Sequence, residues 1–205
     1  MICMDQIKTE QIKTVCVYCG SGAGSSPRFV EAAQALGKAF AENNIRLVYG
    51  GGSVGLMGAI AKSTLDHGGS VTGIIPDFLR SREHMLTRVQ EMIVTPDMHE
   101  RKRLMFEHSD AFVALPGGAG TLEELFEVYT WAQLGLHQKP CGLLNVEGYY
   151  DGIADFLAHA VSERFLREET RELLMIETDA ALLIERLHTF EPQAVVPKWI
   201  DREET

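Results

Sequence analysis

Residues 112 to 125 read FVALPGGAGTLEEL, a short apolar run followed by three glycines and two glutamates. An apolar run that changes directly into an amphipathic segment is typical of a buried strand leading into a helix. One glycine is usually enough for such a junction. The additional glycines and the adjacent carboxylates therefore indicate a ligand site at this turn.

The same alternation of short apolar runs and longer amphipathic segments extends along the chain. Strands are predicted at residues 14–19, 46–49, 70–75, 90–95, 111–115 and 141–145. Helices are predicted at residues 27–43, 54–67, 98–108, 121–136, 149–163 and 179–188. The strands are nearly continuous Val, Ile, Leu and Cys runs, as expected when helices cover both faces of a parallel sheet.

This pattern predicts a single α/β domain with a doubly wound, mainly parallel, Rossmann-like sheet. We place the domain at residues 13–190, after an N-terminal extension of residues 1–12 and before a C-terminal tail of residues 191–205. Residues 77–88 fit neither period and are expected to form a loop over one rim.

Composition limits the classes of partner. The chain has 205 residues, is 45% hydrophobic and contains no apolar run of membrane-spanning length. Its start lacks a basic segment followed by an apolar one, so we expect a cytoplasmic protein. The formal charge of −10, without a lysine- or arginine-rich block, argues against nucleic acid as a partner. A small phosphorylated ligand needs only one local positive site.

The four cysteines are too scattered for a disulfide framework. CVYC at residues 16–19 matches the C-x-x-C half-motif of redox and zinc sites, but it lies in a predicted strand that sends Cys16 and Cys19 to opposite faces. Buried structural thiols are the favoured interpretation, and no second motif has metal-ligand spacing. We therefore expect no metal.

Two other turns are rich in glycine. CGSGAGSSP at residues 19–27 departs from a dinucleotide fingerprint at Ser25. YGGGSVGLMG at residues 49–58 matches G-x-G-x-x-G, but SVTGIIP at residues 70–76 lacks the acidic residue that would bind a ribose hydroxyl. We expect a tight turn that lets the backbone approach a smaller ligand, rather than NAD or FAD binding.

The third glycine-rich turn, PGGAGT, favours a phosphate. Successive glycines let several N–H groups converge, and the start of a helix adds partial positive charge there. The glutamates that follow have two interpretations. Thr121 and Glu124 match a capping box, and Glu123 then favours the helix dipole. Alternatively, the carboxylates serve a ligand held by the glycines.

A basic segment, MHERKRLMF at residues 98–106, heads another predicted helix. Helical geometry places Met98, Arg101 and Met105 on one apolar face, whereas Lys102 and Arg103 diverge from it. Either Arg101 supplies charge to the glycine site, or the helix is solvated and carries an Arg103 to Glu107 pair.

Taken together, PGGAGTLEE, the upstream ERK and YGGGSVGLMG resemble the LONELY GUY (LOG) family over roughly residues 14 to 165. The resemblance implies hydrolysis of nucleoside 5′-monophosphates, preferably of N6-prenylated adenine, to free base and ribose 5-phosphate, without a cofactor. It implies Arg101 and Glu124 as the catalytic pair. It also implies phosphate or substrate contacts at Gly117, Gly118, Gly120, Thr121, Glu83, Lys102, Glu123 and Thr130, with further substrate-binding candidates at Ser21, Gly51, Gly52 and Met98.

Three questions stay open at the level of sequence. Plant relatives read MPRE where this chain reads LRSRE, so the preference lies between prenylated adenine nucleotides and plain AMP. A nucleotide sensor or carrier needs only the glycine cradle, whereas hydrolysis also needs Arg101 and Glu124. The family label "possible lysine decarboxylase" would require a Schiff-base lysine, and Lys102 is the one lysine among the motifs.

The family resemblance also implies a homodimer. The helix predicted at residues 121–136 carries more apolar side chains than one sheet contact needs: Leu125, Val128, Tyr129, Trp131, Ala132 and Leu136. Core packing explains most of them equally well. In a dimer, Glu123 and Thr130 would be placed to complete the neighbouring site.

Overall fold

The computed structural model describes residues 12–80 and 85–191. Within them, seven strands form one sheet: β1 (Thr14–Tyr18), β2 (Arg46–Tyr49), β3 (Val71–Pro76), β4 (Glu91–Thr95), β5 (Ala111–Ala114), β6 (Cys141–Leu144) and β7 (Leu174–Glu177). Their order is β4-β3-β2-β1-β5-β6-β7, and every pairing is parallel. The predicted doubly wound sheet is confirmed.

The helices in these ranges are α1 (Pro27–Glu42), α2 (Gly55–Asp66), α3 (Asp77–Arg80), α4 (Met98–Glu107), α5 (Ala119–Gln133), α6 (Asp151–Ser162), α7 (Glu168–Arg171) and α8 (Ala180–His188). A 3-10 turn, Val146–Gly148, precedes α6. None of the helices in the described ranges combines the length and apolar character needed to cross a bilayer.

Helices cover both faces of the sheet. Alternate residues of β1 separate into two apolar clusters, Val15 and Val17 with α1, α2 and α8, and Cys16 and Tyr18 with α4, α5 and α6. The strands are therefore buried on both sides, which explains their continuous apolar character. Cys19 packs with the first cluster, so the two thiols of CVYC lie on opposite faces, as predicted.

The sequence interpretation was wrong in three places. Residues 77–80 form α3 instead of a loop. The short segments α7 and β7 were not predicted, because they lie in a stretch rich in Glu and Arg, with no glycine or proline to mark where an element ends. Finally, α5 begins at Ala119 with Gly118 as its N-cap, so Thr121 lies inside the helix and the proposed capping box does not form.

Gly37 sets the distance between α1 and α2. A Cβ at this position would lie 2.5 Å from the Ile60 carbonyl oxygen and 3.0 Å from the Thr64 hydroxyl. Backbone on one side leaves little room to adjust, so α1 approaches α2 closely only because residue 37 has no side chain.

Gly37→Ala is expected to lower the free energy of unfolding by about 1 to 3 kcal/mol, the usual cost of overpacking. Gly152→Ala is the matched control, since a Cβ there meets nothing within 4 Å. This control should gain about 0.5 kcal/mol from the lower flexibility of alanine. Urea unfolding of both variants measures the difference, and equal midpoints would contradict the packing argument.

Candidate functional site

The order of strands reverses between β1 and β5, which are neighbours in the sheet although far apart in the chain. Ligands of open α/β sheets bind beyond the carboxyl ends of the strands at such a point. A cavity of about 260 Å³ lies there, near the lower end of the roughly 300–1,000 Å³ typical of ligand pockets. Its lining includes Cys19, Ser21, Gly50, Met98, Arg101, Gly118, Gly120, Thr121, Glu123 and Glu124.

The glycines after β5 have two different roles. A Cβ on Gly117 would collide with the Thr121 side chain and lie 2.8 Å from the Gly20 amide nitrogen, so this position is close-packed. A Cβ on Gly118 or Gly120 would meet nothing within 4 Å. These two glycines line the cavity and leave the backbone at the start of α5 uncovered. In the first turn of a helix the N–H groups have no carbonyl partner within the helix, so they suit an anion.

The turn before α2 is used differently. The Gly20 carbonyl accepts hydrogen bonds from the amides of Leu56, at 3.1 Å, and Met57, at 3.4 Å. A Cβ on Gly55 would collide with the Ser21 carbonyl. The sequence predicted that a small ligand would approach the backbone at this turn. The backbone of residues 20–22 lies there instead and caps the start of α2.

Gly50 leaves room for Arg101, because a Cβ at residue 50 would collide with the Arg101 guanidinium. Residues 51 and 52 hold the following segment: the Gly51 carbonyl accepts from the Leu86 amide at 3.3 Å, and Gly52 forms a bridge with Met85. Neither Gly51 nor Gly52 is among the residues that line the cavity.

Arg101 and Glu124 form an ion pair at the cavity, with Nη1 3.0 Å from Oε1 and side chains only 11% and 10% exposed. The Arg101 Nε also donates to the Ile74 carbonyl at 3.2 Å. Its other neighbours, Met98 and Met105, share its helix face as predicted. Glu124 therefore faces Arg101 and the cavity instead of its own helix start.

Burial raises the pKa of the Glu124 carboxyl, and the nearby Arg101 charge opposes this shift only in part. A buried carboxyl group that has a raised pKa and lies beside a cation is typical of functional sites. Burial also raises the pKa of the Cys19 thiol far above its usual range. This direction favours a neutral thiol at Cys19, which lines the cavity.

Lys102 is covered more than its position on the helix indicated. Its ammonium lies 2.5 Å from Glu123 and 2.9 Å from Glu127, and its side chain is 13% exposed. Burial lowers its pKa, but the hydrogen bonds to the two carboxylates outweigh this effect and the net shift is upward. A lysine held protonated is unsuited to Schiff-base chemistry, which argues against the lysine decarboxylase label.

Glu127 was missed by sequence reasoning, although its i,i+4 spacing from Glu123 was a usable signal. Thr130 is exposed on α5, on the same helix face as Glu123 and Glu127 and away from the cavity lining. Arg103 is a surface residue paired with Glu100 and Glu107, so the solvated interpretation holds for this cation. Glu83 lies outside the described residues.

A larger cavity, about 550 Å³, lies near β7 and α8 and is lined by residues that include Arg171, Met175, Arg186 and Phe190. It holds none of the glycine-rich turns and lies far from the switch in strand order. The smaller cavity, which has both features, is therefore the candidate functional site. Across the described part of the chain, no three His, Cys, Asp or Glu side chains gather closely enough to hold a metal ion.

Comparison with known proteins identifies the family. The family profile described as "Possible lysine decarboxylase" matches residues 57–187. The LOG1 cytokinin riboside 5′-monophosphate phosphoribohydrolase of Arabidopsis thaliana is 48% identical over 183 residues, covering 89% of this chain and 86% of that protein. The chain belongs to the LONELY GUY family.

A second LOG-family relative, the LOG phosphoribohydrolase of Oryza sativa subsp. japonica, is 47% identical over 91% of this chain and 77% of its own length. Among solved structures, the molybdenum cofactor carrier protein of Chlamydomonas reinhardtii has a TM-score of 0.66 at 22% identity, covering 86% of this chain and 96% of that one. The molybdenum cofactor binding protein of Rippkaea orientalis has a TM-score of 0.65, also at 22% identity, covering 88% and 98%. The fold is thus shared with proteins that carry or bind the molybdenum cofactor.

Arg101→Ala should lower the free energy of unfolding at pH 7 by roughly 3 to 5 kcal/mol, because it leaves a buried carboxylate without its partner. The loss should shrink as the pH falls, since Glu124 then takes up a proton and no charge remains unpaired. Urea unfolding between pH 7 and pH 5 measures this trend. Arg103→Ala, on the exposed face of the same helix, should leave the midpoint unchanged, and a pH-independent loss in Arg101→Ala would contradict the assigned pairing.

Proposed function

We propose that the protein hydrolyses the N-glycosidic bond of adenine nucleoside 5′-monophosphates, including N6-substituted ones, to free base and ribose 5-phosphate. The observation that carries the proposal is the Arg101–Glu124 pair, 3.0 Å apart, in the same cavity as the uncovered glycines of α5. The LOG-family relatives, which are named phosphoribohydrolases, support the same activity.

In this proposal the 5′-phosphate binds at the start of α5, against Gly118, Gly120 and Thr121. The phosphate lies far from the bond that breaks, so its binding energy serves to position the ribose. Gly117 contributes by allowing Thr121 to pack beneath the turn. Ser21 and Met98 are among the other residues that line the cavity.

Cleavage of the glycosidic bond develops positive charge on the sugar and negative charge on the departing purine. Carboxylates stabilise the corresponding cation in O-glycosidases. Glu124 is placed to stabilise this charge and to accept a proton from the attacking water, a task that its raised pKa suits. Arg101 holds the carboxylate in place and offsets negative charge on the phosphate or the leaving base.

Glu124→Gln keeps the shape of the side chain but removes its charge, and should lower turnover of AMP by about 100-fold or more while binding changes only a few-fold. Chromatographic measurement of released adenine tests this directly. Glu163→Gln, an exposed carboxylate at the end of α6, is the control and should retain full turnover. A wild-type protein that binds AMP without releasing adenine would support a carrier and overturn the hydrolase.

The same assay settles the preference for the base. Isopentenyladenosine monophosphate and AMP are compared at equal concentrations with the wild-type protein. A higher kcat/KM for the prenylated nucleotide supports cytokinin activation, whereas a higher value for AMP supports nucleotide salvage. Residues 81–84, which include the candidate contact Glu83, lie outside the described structure.

We further propose a homodimer formed in the cytoplasm. Four of the apolar residues of α5, Leu125, Val128, Tyr129 and Ala132, are buried within the chain. Beyond the helix, Leu134 and Leu136 are 57% and 68% exposed. These two exposed leucines lie just beyond the end of α5, beside the polar face formed by Glu123, Glu127 and Thr130. A surface of this kind can bind a second copy of the chain. The free thiols of Cys16, Cys19 and Cys141 favour a reducing compartment.

Leu136→Asp should weaken the dimer at least tenfold in sedimentation experiments, because a charge would enter an apolar contact. Leu182→Asp is the matched control, since Leu182 is 51% exposed on α8, which covers the opposite face of the sheet. A protein that sediments as a monomer at every concentration would contradict the dimer.

A further inference from the structure

Where β5 leads into the glycine turn PGGAGT, three consecutive carbonyl groups, those of residues 115–117, accept hydrogen bonds from other parts of the chain. The Leu115 carbonyl accepts from the Tyr150 hydroxyl at 2.6 Å. The Pro116 carbonyl accepts from the Gly20 amide at 3.0 Å. The Gly117 carbonyl accepts from the Tyr149 hydroxyl at 2.6 Å. Each of these three peptide planes is therefore fixed by a separate donor.

Fixing a carbonyl also fixes the amide group behind it. In a trans peptide the C=O of one residue and the N–H of the next point in opposite directions across one rigid plane. The described residues contain no cis peptide. The Tyr149 hydroxyl, by holding the Gly117 carbonyl, therefore sets the direction of the Gly118 N–H, at a residue that lines the cavity. A hydrogen bond to the carbonyl also polarises the peptide and strengthens its N–H as a donor.

The direction of this amide matters because the side chains around the cavity supply little attraction for an anion. Within the described structure, Arg101 is paired with Glu124, and Lys102 is paired with Glu123 and Glu127. Of these five side chains, the cavity lining includes one cation, Arg101, and two carboxylates, Glu123 and Glu124. Binding of a phosphate must rely on backbone amides and the helix start, whose effect depends on orientation.

Tyr149 is held by a turn whose backbone is unusual. Glu147 has a φ of 51°, in the left-handed region that residues with a side chain rarely adopt, and Gly148 has a φ of 71°. The Asn145 side chain closes this turn by accepting from the Tyr150 amide at 2.7 Å and donating to Asp151 at 2.7 Å. The Tyr149 ring then packs edge-on against Phe29, with centroids 5.7 Å apart.

Burial does not explain the hydroxyl of Tyr149. The side chain is 46% exposed, so water would satisfy this hydroxyl if the Gly117 carbonyl did not. Tyr150 is different, because it is buried and its hydroxyl needs a partner inside the protein. Its target is also different. The Leu115 carbonyl precedes Pro116, which has no N–H to orient.

We propose that Tyr149 is a positioning residue for the 5′-phosphate, acting through the Gly117–Gly118 peptide. This inference rests on the proposed function, because it assumes that a phosphate monoester binds at Gly118. It assigns Tyr150, the neighbour in sequence, a purely structural hydrogen bond.

The test compares Tyr149→Phe with Tyr150→Phe, each of which removes one hydroxyl and leaves the ring. For Tyr149→Phe, the dissociation constant of ribose 5-phosphate and the KM for AMP should rise about five- to tenfold, the effect of about one hydrogen bond. The kcat and the inhibition by free adenine, which lacks a phosphate, should stay within about twofold of the wild-type values. Calorimetry and the adenine-release assay supply these constants.

For Tyr150→Phe, the urea midpoint should fall while the dissociation constant of ribose 5-phosphate stays within about twofold. The proposal is overturned if Tyr149→Phe binds ribose 5-phosphate as tightly as the wild type, or if Tyr150→Phe loses as much affinity. It is also overturned, together with the proposed function, if the wild-type protein neither binds ribose 5-phosphate nor releases adenine. Normal turnover by the wild type with unchanged binding in Tyr149→Phe overturns the role of Tyr149 alone.

Discussion

The parallel pairing of β1 with β5 is the constraint on which the site depends. It brings Cys19, Gly20 and Ser21, which follow one strand, beside the glycine turn that follows the other, although about a hundred residues separate them in the chain. The cavity exists because the strand order changes direction there, so that α2 and α5 start on opposite faces of the sheet. Arg101 reaches the same place from α4, passing over Gly50, where a side chain would block it.

Electrostatics then divides the cavity into two regions. At one, the start of α5 offers oriented amides to an anion. In the other region, the pKa of Glu124 is raised, because burial raises it more than the Arg101 charge lowers it. An acidic protein can bind a nucleotide at such a site because recognition depends on local dipoles rather than on net charge. The three acidic groups near Lys102 and Arg101 also disfavour anions that do not reach the amides.

Much of this was predictable from sequence because the strands and long helices have a clear period. Six strands and the doubly wound arrangement follow from apolar patterning alone, whereas β7 lies in a Glu- and Arg-rich stretch without a glycine or proline to mark its ends. The role of Glu124 was not decidable in the same way, because T-x-x-E fits a capping box and a catalytic carboxylate equally. Packing of Thr121 beneath Gly117 accompanies a helix start at Ala119, two residues earlier than predicted, and this turns Glu124 towards Arg101. Lys102 was expected to diverge from the apolar face of its helix, and its coverage was not foreseen because the carboxylates that cover it come from a helix remote in the chain. Tyr149 and Tyr150 follow β6, the strand next to β5, and the rule that sites lie beyond strand ends would have directed attention to them.

Gly20 joins three otherwise separate parts of the molecule. Its amide binds the Pro116 carbonyl, and its own carbonyl receives the first amides of α2. A fluctuation that releases the loop after β1 must therefore also uncap α2 and release the Pro116 carbonyl. Local opening of this kind is cooperative. Gly20 therefore couples the opening of the loop after β1 to the opening of the α2 start, and the amides on both sides share one free energy of opening.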